Sequence, residues 1–281
     1  MRLRKKYSPK RIFALVFITV FMILLTISFL YPLWYMFSNA LKTRVDYYTN
    51  PFGLPKEVTF DNFRSILLDY NVGRNIFNSL LIAVIATVLV IVTSAFASYA
   101  FAKLHFKHKA LAYAVVLSTM FLPAQVTMIP KYAMFAKMGL IDSMWSVILS
   151  YWAAGVPGAV LLMRNAFAGI SNEVIESAKL DGAGFFTIVW RIVVPMGFSG
   201  IAIVIIFQFI NAWNDYLTPL LYLQSPEKMT LMVTLSQMVT KYGDFPTIQF
   251  AGLFISVLPT LLVYLVLQKY MLKGAASGAI K

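Results

Sequence analysis

The chain contains no cysteine, so it has no disulfide to fold around and no thiolate to bind a metal or form a covalent intermediate. This absence does not fix a compartment. Charge is also scarce, at 12% of 281 residues, about half the share of an ordinary soluble domain. Histidine occurs only as His105 and His108. Lys103, Lys107 and Lys109 surround them and no carboxylate is near, so they read as a solvated basic turn and not as metal ligands. No Gly-x-x-x-x-Gly-Lys-Ser/Thr stretch occurs, so the chain cannot cradle nucleotide phosphates in a P-loop. The apolar runs hold no paired carboxylates, metal cluster or nucleophile constellation, and low-complexity stretches and a convincing internal repeat are likewise missing. The expectation is a protein that is not an enzyme.

What the chain has is apolar length. Its hydrophobic share is 60% and its mean hydropathy +0.75. Six apolar runs, at 12–37, 76–102, 110–129, 145–163, 194–221 and 248–267, can each cross a hydrocarbon core about 30 Å thick. The fold class predicted is an all-α, polytopic membrane protein with six transmembrane helices. The first run follows Arg2, Arg4, Lys5 and Lys6. It is too long for a signal-peptide core and is expected to stay as an uncleaved helix.

The net charge of +13 would suggest nucleic acid on a soluble chain. Here no folded basic domain exists to hold one, and the excess reads as topology. With a cytoplasmic N-terminus, the inner segments hold 15 of the 24 basic residues and only three acids, Glu173, Glu176 and Asp181. The outer segments hold nine basic and eight acidic residues. This predicts a plasma-membrane protein with both termini inside.

The second inner segment, 164–191, is too polar in its first half to span and too long for a turn. Ser171 suits an N-cap and Glu173 the first helical turn, where the helix dipole favours an anion. Val174 and Ala178 fall on one face; Glu173, Glu176 and Lys179 fall on another. Asp181-Gly182 ends the helix, because glycine accepts the left-handed conformation. An apolar elbow, 185–194, follows, and Pro195 marks a kink or the start of the fifth crossing. In the second crossing Ser94, Ser98 and Ala102 recur at steps of four, allowing close helix approach. Pro123, Pro130, Pro157, Pro219 and Pro259 interrupt apolar runs; such sites either line a pathway or are packing kinks.

No Lys, Arg or His lies in the core of any predicted crossing, which disfavours ion coupling and leaves no obvious counter-charge for an anionic solute. Gln208, Asn211 and Asp215 fall at i, i+3 and i+7 on the fifth run, with Asn214 beside them. These amides, with the aromatics Trp213 and Tyr216, suit sugar hydroxyls and sugar faces. Helix–helix hydrogen bonding explains the same residues, and both readings stand.

The segment Glu176-Ser177-Ala178, Gly182, Ile192, Val194 and Pro195 resembles the cytoplasmic signature of binding-protein-dependent ABC importer permeases: Glu-Ala-Ala, three residues, Gly, nine residues, then Ile-x-Leu-Pro. The spacing is kept; Ser177 and Val194 depart conservatively. The stretches from Leu122 to Pro130, Lys137 to Ser143 and Trp213 to Leu220, with the ending Gly278-Ala279-Ile280-Lys281, resemble the smaller, six-helix member of maltose-type permease pairs. The likeness runs from about Tyr31 to Lys281.

The resemblance implies an ABC type I importer transmembrane domain: 1–72 with the first helix and external loop, 73–270 as the transmembrane domain, and 271–281 as a cytoplasmic tail that inserts between the ATPases. It makes 171–184 the coupling helix, with Glu176, Ser177, Ala178, Asp181, Gly182, Ile192 and Pro195 as ATPase-coupling residues. It implies no cofactor in this chain, with ATP and Mg on two partner ATPase subunits. It also implies a second permease as heterodimer partner, an extracellular solute-binding protein, surrounding lipid, and a sugar or oligosaccharide cargo. A glycerol phosphodiester or peptide cargo, or an ion-coupled secondary transporter, are the alternatives.

Overall fold

The structure, a computed structural model, describes residues 9–68, 70, 72–241 and 245–278. All regular elements among them are helical. In chain order they are α1 (Pro9–Ala40), α2 (Arg44–Thr49), α3 (Asp61–Leu68), α4 (Val72–Lys103), α5 (Lys109–Ser118), α6 (Met128–Lys137), α7 (Met144–Ala168), α8 (Asn172–Leu180), α9 (Phe185–Thr187), α10 (Val194–Met196), α11 (Phe198–Asn214), α12 (Leu217–Tyr222), α13 (Leu231–Lys241) and α14 (Pro246–Gly278). Short 3-10 turns and one π-helical turn, Ile188–Val193, join some of them.

Among the described residues, four stretches are long and apolar enough to cross a membrane alone: Lys10–Ala40, Val72–Lys103, Met144–Ala168 and Pro246–Met271. Two further candidate spans are bent pairs. Lys109–Phe121 meets Ala124–Lys137 at 92°, and Phe185–Met196 meets Phe198–Asn214 at 81°. The expected continuous runs at 110–129 and 194–221 are therefore each broken. The first breaks at Leu122-Pro123, where Pro123 sits in extended backbone and offers no N–H to continue the helix. The second breaks at Gly197 and not at Pro195, which lies exposed inside α10. It also ends at Asn214, since Asp215 is extended. Pro157 and Pro259 interrupt nothing; α7 and α14 run through them. The tail is helical through Gly278. Residues 279–281, like Arg2, Arg4, Lys5 and Lys6, lie outside the described residues.

The chain forms two compact units, Met1–Tyr70 with Tyr242–Ile255, and Asn71–Lys241 with Ser256–Lys281. In the first, the apolar stretch of α1 is wholly uncovered, a surface suited to lipid. Its C-terminal end is buried around Lys42, whose Nζ donates to the Asn50 carbonyl at 2.7 Å and the Pro51 carbonyl at 3.3 Å. Burial draws the Lys42 pKa below the ordinary lysine value, and Asp46 nearby opposes this. Asn62 fastens the same corner, donating to the Ala40 and Lys42 carbonyls and accepting from Thr247.

The second unit is built on α4, α7 and α11. Along α4 the buried residues Ser79, Ala83, Ala86, Val90, Ser94 and Ser98 recur every three or four positions, one stripe of a 3.6-residue helix. Because these side chains are small, α7 comes close enough for Ser94 and Ser98 to donate to the Val156 and Val160 carbonyls. Gly155 and Gly200 allow the same approach of α11: a Cβ on Gly155 would lie 2.3 Å from Gln208 Oε1, and one on Gly200 2.5 Å from Ala166 Cβ. Gly197 lets the bend tuck under Phe167, whose ring would lie 2.5 Å from an added Cβ.

Candidate functional site

Two regions carry the polar chemistry of this unit. The first is α8. Ser171 caps it by accepting from the Glu173 N–H at 3.2 Å. Its other end closes in the Schellman pattern: Ala183 N–H reaches the Ala178 carbonyl at 2.9 Å and Gly182 N–H the Lys179 carbonyl at 3.0 Å. Gly182 at φ +82° supplies the left-handed residue this closure requires.

One side chain, Ile175, anchors the helix. It is buried in the hydrophobic cluster of Tyr99, Met163, Phe167, Ile188, Val189 and Val193, with Ala178 and Ile192 packed against it. The seated face is thus Ile175/Ala178, and Val174, expected beside Ala178, faces outward. Glu176, Ser177, Asp181 and Gly182 are exposed, as is Pro195 further on. A polar surface therefore stands on an apolar root, and Leu180 projects from it 89% exposed.

A residue not foreseen holds the near side. Lys103, the last of α4, donates from Nζ to the Ala168 carbonyl at 3.3 Å, to the Ile170 carbonyl, and to Asn172 Oδ1 at 2.9 Å. A cation at the C-terminal carbonyls of α7 complements that helix's dipole and ties α4 to the first residue of α8. The basic turn 103–109 is the signal that pointed here, though its lysines read only as topology.

The second region is a cavity of about 470 Å³ whose lining includes Lys131, Tyr151, Gln208, Asn211, Asn214 and Asp215. The four residues singled out from the fifth run thus meet on one wall, although Asp215 lies just past the helix end. Gln208 is buried and donates to the Tyr151 carbonyl at 3.1 Å. Asp215 accepts from Tyr151 O–H at 3.1 Å through Oδ2 and from the Leu217 and Thr218 N–H groups through Oδ1. Asn211 and Asn214 are exposed, and their amides make no hydrogen bond among the described residues. A second cavity of about 370 Å³, lined by Met120, Leu162, Val204 and Phe207, shares Ala154, Gly155, Gln208 and Asn211 with the first. Polar and apolar compartments therefore adjoin at Gly155 and Gln208.

Two expectations change here. Trp213 is not available to a solute: it is 1% exposed, stacks on Phe209 with centroids 5.9 Å apart, and donates to the Ser256 carbonyl. A basic group does line the cavity: Lys131, on α6 after the 92° turn.

A helix with an exposed polar face on an apolar root and a polar cavity among apolar helices thus lie in one unit. Residues 94–274 match the family described as binding-protein-dependent transport system inner membrane component. The chain belongs to this family. The arabinooligosaccharides transport system permease AraQ of Bacillus subtilis is 30% identical over 98% of this chain and 99% of its own. The osmoprotective compounds uptake permease GgtD of Synechocystis is 33% identical over 92% and 90%.

Among solved structures, a chain of a bacterial ABC transporter involved in import of the acidic polysaccharide alginate superposes with a TM-score of 0.83 at 25% identity, covering 95% of this chain and 99% of that one. A bacterial alginate ABC transporter in complex with its pentasaccharide-bound periplasmic protein shares the fold, with a TM-score of 0.66 at 16% identity. The chain is accordingly a multi-pass membrane permease of an ABC importer, of the kind that works with a solute-binding protein.

Proposed function

We propose that this permease forms part of the translocation pathway for a sugar or oligosaccharide and is driven by ATPase subunits that bind α8. The observation that carries the reading is the seating of α8. Its polar face is exposed while Ile175 roots it in the helix-packing core. A partner gripping Glu176, Ser177 and Asp181 would therefore move the core itself. Ala178 and Ile192 pack that root, Gly182 shapes the turn that closes α8, and Pro195 lies exposed on the elbow that follows. In this reading ATP and Mg belong to two cytoplasmic ABC ATPases, and this chain binds no cofactor and catalyses no reaction. A second permease completes the pathway as a heterodimer, and an extracellular solute-binding protein delivers the cargo. Both termini are cytoplasmic.

Saccharide cargo is supported by the names of relatives such as AraQ and the diacetylchitobiose uptake permease NgcG of Streptomyces coelicolor. The unpaired amides of Asn211 and Asn214 suit hydroxyl-rich solutes. Glu176→Lys, or Gly182→Asp, should abolish uptake while membrane abundance stays normal. Wild-type uptake in both variants would remove α8 from the drive.

A further inference from the structure

Lys131 combines three properties. It lies on α6, beyond the turn at Leu122-Pro123, and lines the 470 Å³ cavity. Its ammonium makes no hydrogen bond or ion pair among the described residues. The one carboxylate on the same lining, Asp215, is engaged by Tyr151 O–H and by the Leu217 and Thr218 N–H groups. A lysine inside a membrane-length bent pair is costly unless it faces water or a solute. Asp215 keeps its charge but already has three donors of its own, so the ammonium is the charged group on this lining left without a partner.

We propose that Lys131 is a specificity-determining residue of this cavity, a charge-assisted donor that favours saccharides bearing an anionic group such as a carboxylate. This rests on the pathway reading above. Asn211 and Asn214 contact neutral hydroxyls alongside it, and Lys131 adds a contact that a neutral sugar uses weakly and a cationic one not at all.

The absence of cysteine permits a direct test. Asn211→Cys gives the chain one thiol on the cavity wall. In the assembled transporter, its rates of modification by anionic, cationic and neutral methanethiosulfonate reagents report access and local potential. The expected result is labelling by the neutral reagent and faster labelling by the anionic than by the cationic one. Adding Lys131→Gln should lower that anionic-to-cationic ratio about tenfold, as expected for losing one nearby charge in a partly aqueous site. The neutral rate should stay unchanged, and Lys131→Arg should keep the ratio. An unchanged ratio in Lys131→Gln, with the neutral reagent still reacting, would overturn the inference. No labelling by the neutral reagent would show that the cavity is closed to solutes, and the pathway reading would fall with it.

Discussion

Gly155 is a point of close approach between α7 and α11, and Gly155→Ala probes it with one methyl group. The added methyl would lie 2.3 Å from Gln208 Oε1, 2.8 Å from its Cδ and 2.9 Å from Val90 Cγ2. Ordinary contact needs about 3.5 Å or more, so the Gln208 amide must retreat by about 1 Å. That movement breaks its 3.1 Å bond to the Tyr151 carbonyl and leaves a buried donor unpaired, at about 1–3 kcal/mol. Val90 is stiff at χ1 and fully buried, so overpacking against it adds about 1 kcal/mol or more. The total, about 2–4 kcal/mol, corresponds to roughly 3–7 °C in melting temperature for a protein of this size. Thermal unfolding of the detergent-purified permease measures it.

The mechanism also demands non-additivity. Gln208→Ala removes the obstructing amide, so the double variant should be more stable than Gly155→Ala alone. A Gly155→Ala melt within about 2 °C of wild type, or a double variant as unstable as the sum of the singles, would refute the close approach of α7 and α11.

Three further outcomes follow from the same geometry. Asp142 sits at φ 58° and accepts from Gln224 N–H, Ser225 N–H, Ser225 Oγ–H and Lys228 Nζ. The Ser225 hydrogen bonds, with those from Lys228 and Gln224, hold its carboxyl far below the ordinary range. A depressed carboxyl pKa stabilises the fold above the unfolded value near 4 and loses that contribution as pH falls through the folded value. Asp142→Asn keeps the left-handed backbone but not the charge. It should lower the melting temperature at pH 7 by the equivalent of about 2–3 kcal/mol, and the gap from wild type should narrow as pH drops below about 4. Lys103→Met should raise the ATP hydrolysed per solute moved, with Lys103→Arg largely restoring coupling. At residue 182, uptake at equal surface abundance should fall in the order Gly, Asn, Ala, Val, since Asn tolerates positive φ and β-branched residues do not.

Much of this was legible in the chain. Four crossings follow from uninterrupted apolar length, and the ends of α8 follow from Ser171 and Gly182, whose chemistry is local. What escaped is directional. Both sides of Leu122-Pro123 and of Gly197 are apolar, so hydropathy cannot register turns of 92° and 81°. The first turn is what carries Lys131 to the cavity, and the only hint was the proline pair Pro123 and Pro130 around it. For Trp213 both readings were open, because a tryptophan near a polar stripe suits a sugar face as well as it suits packing, and burial decides for packing. Its partner, the Ser256 carbonyl, is 43 residues away and invisible to local pattern. On α8, Val174 and Ile175 are equally apolar; only the tertiary core decides that Ile175 goes inside.

The placement of Ile175 bears on how a force applied to α8 could reach the cavity. Ile175 belongs to a hydrophobic cluster that also contains Val90, Ala159, Ile201 and Val204. Ala159 and Val204 line the apolar cavity, which shares Gly155 and Gln208 with the polar one. Among the described residues, one cluster of close-packed side chains of low compressibility joins α8 to the cavity wall. The π-helical turn Ile188–Val193 supplies three further members of the cluster, Ile188, Val189 and Val193. Such turns are weak points of a helix and cluster at functional sites. On the proposed reading, ATPase closure displaces α8, the rigid cluster carries that displacement to α7 and α11, and the π turn with the bend at Gly197 takes up the strain. The cavity then changes shape where Gly155 meets Gln208, the point at which its polar and apolar compartments join.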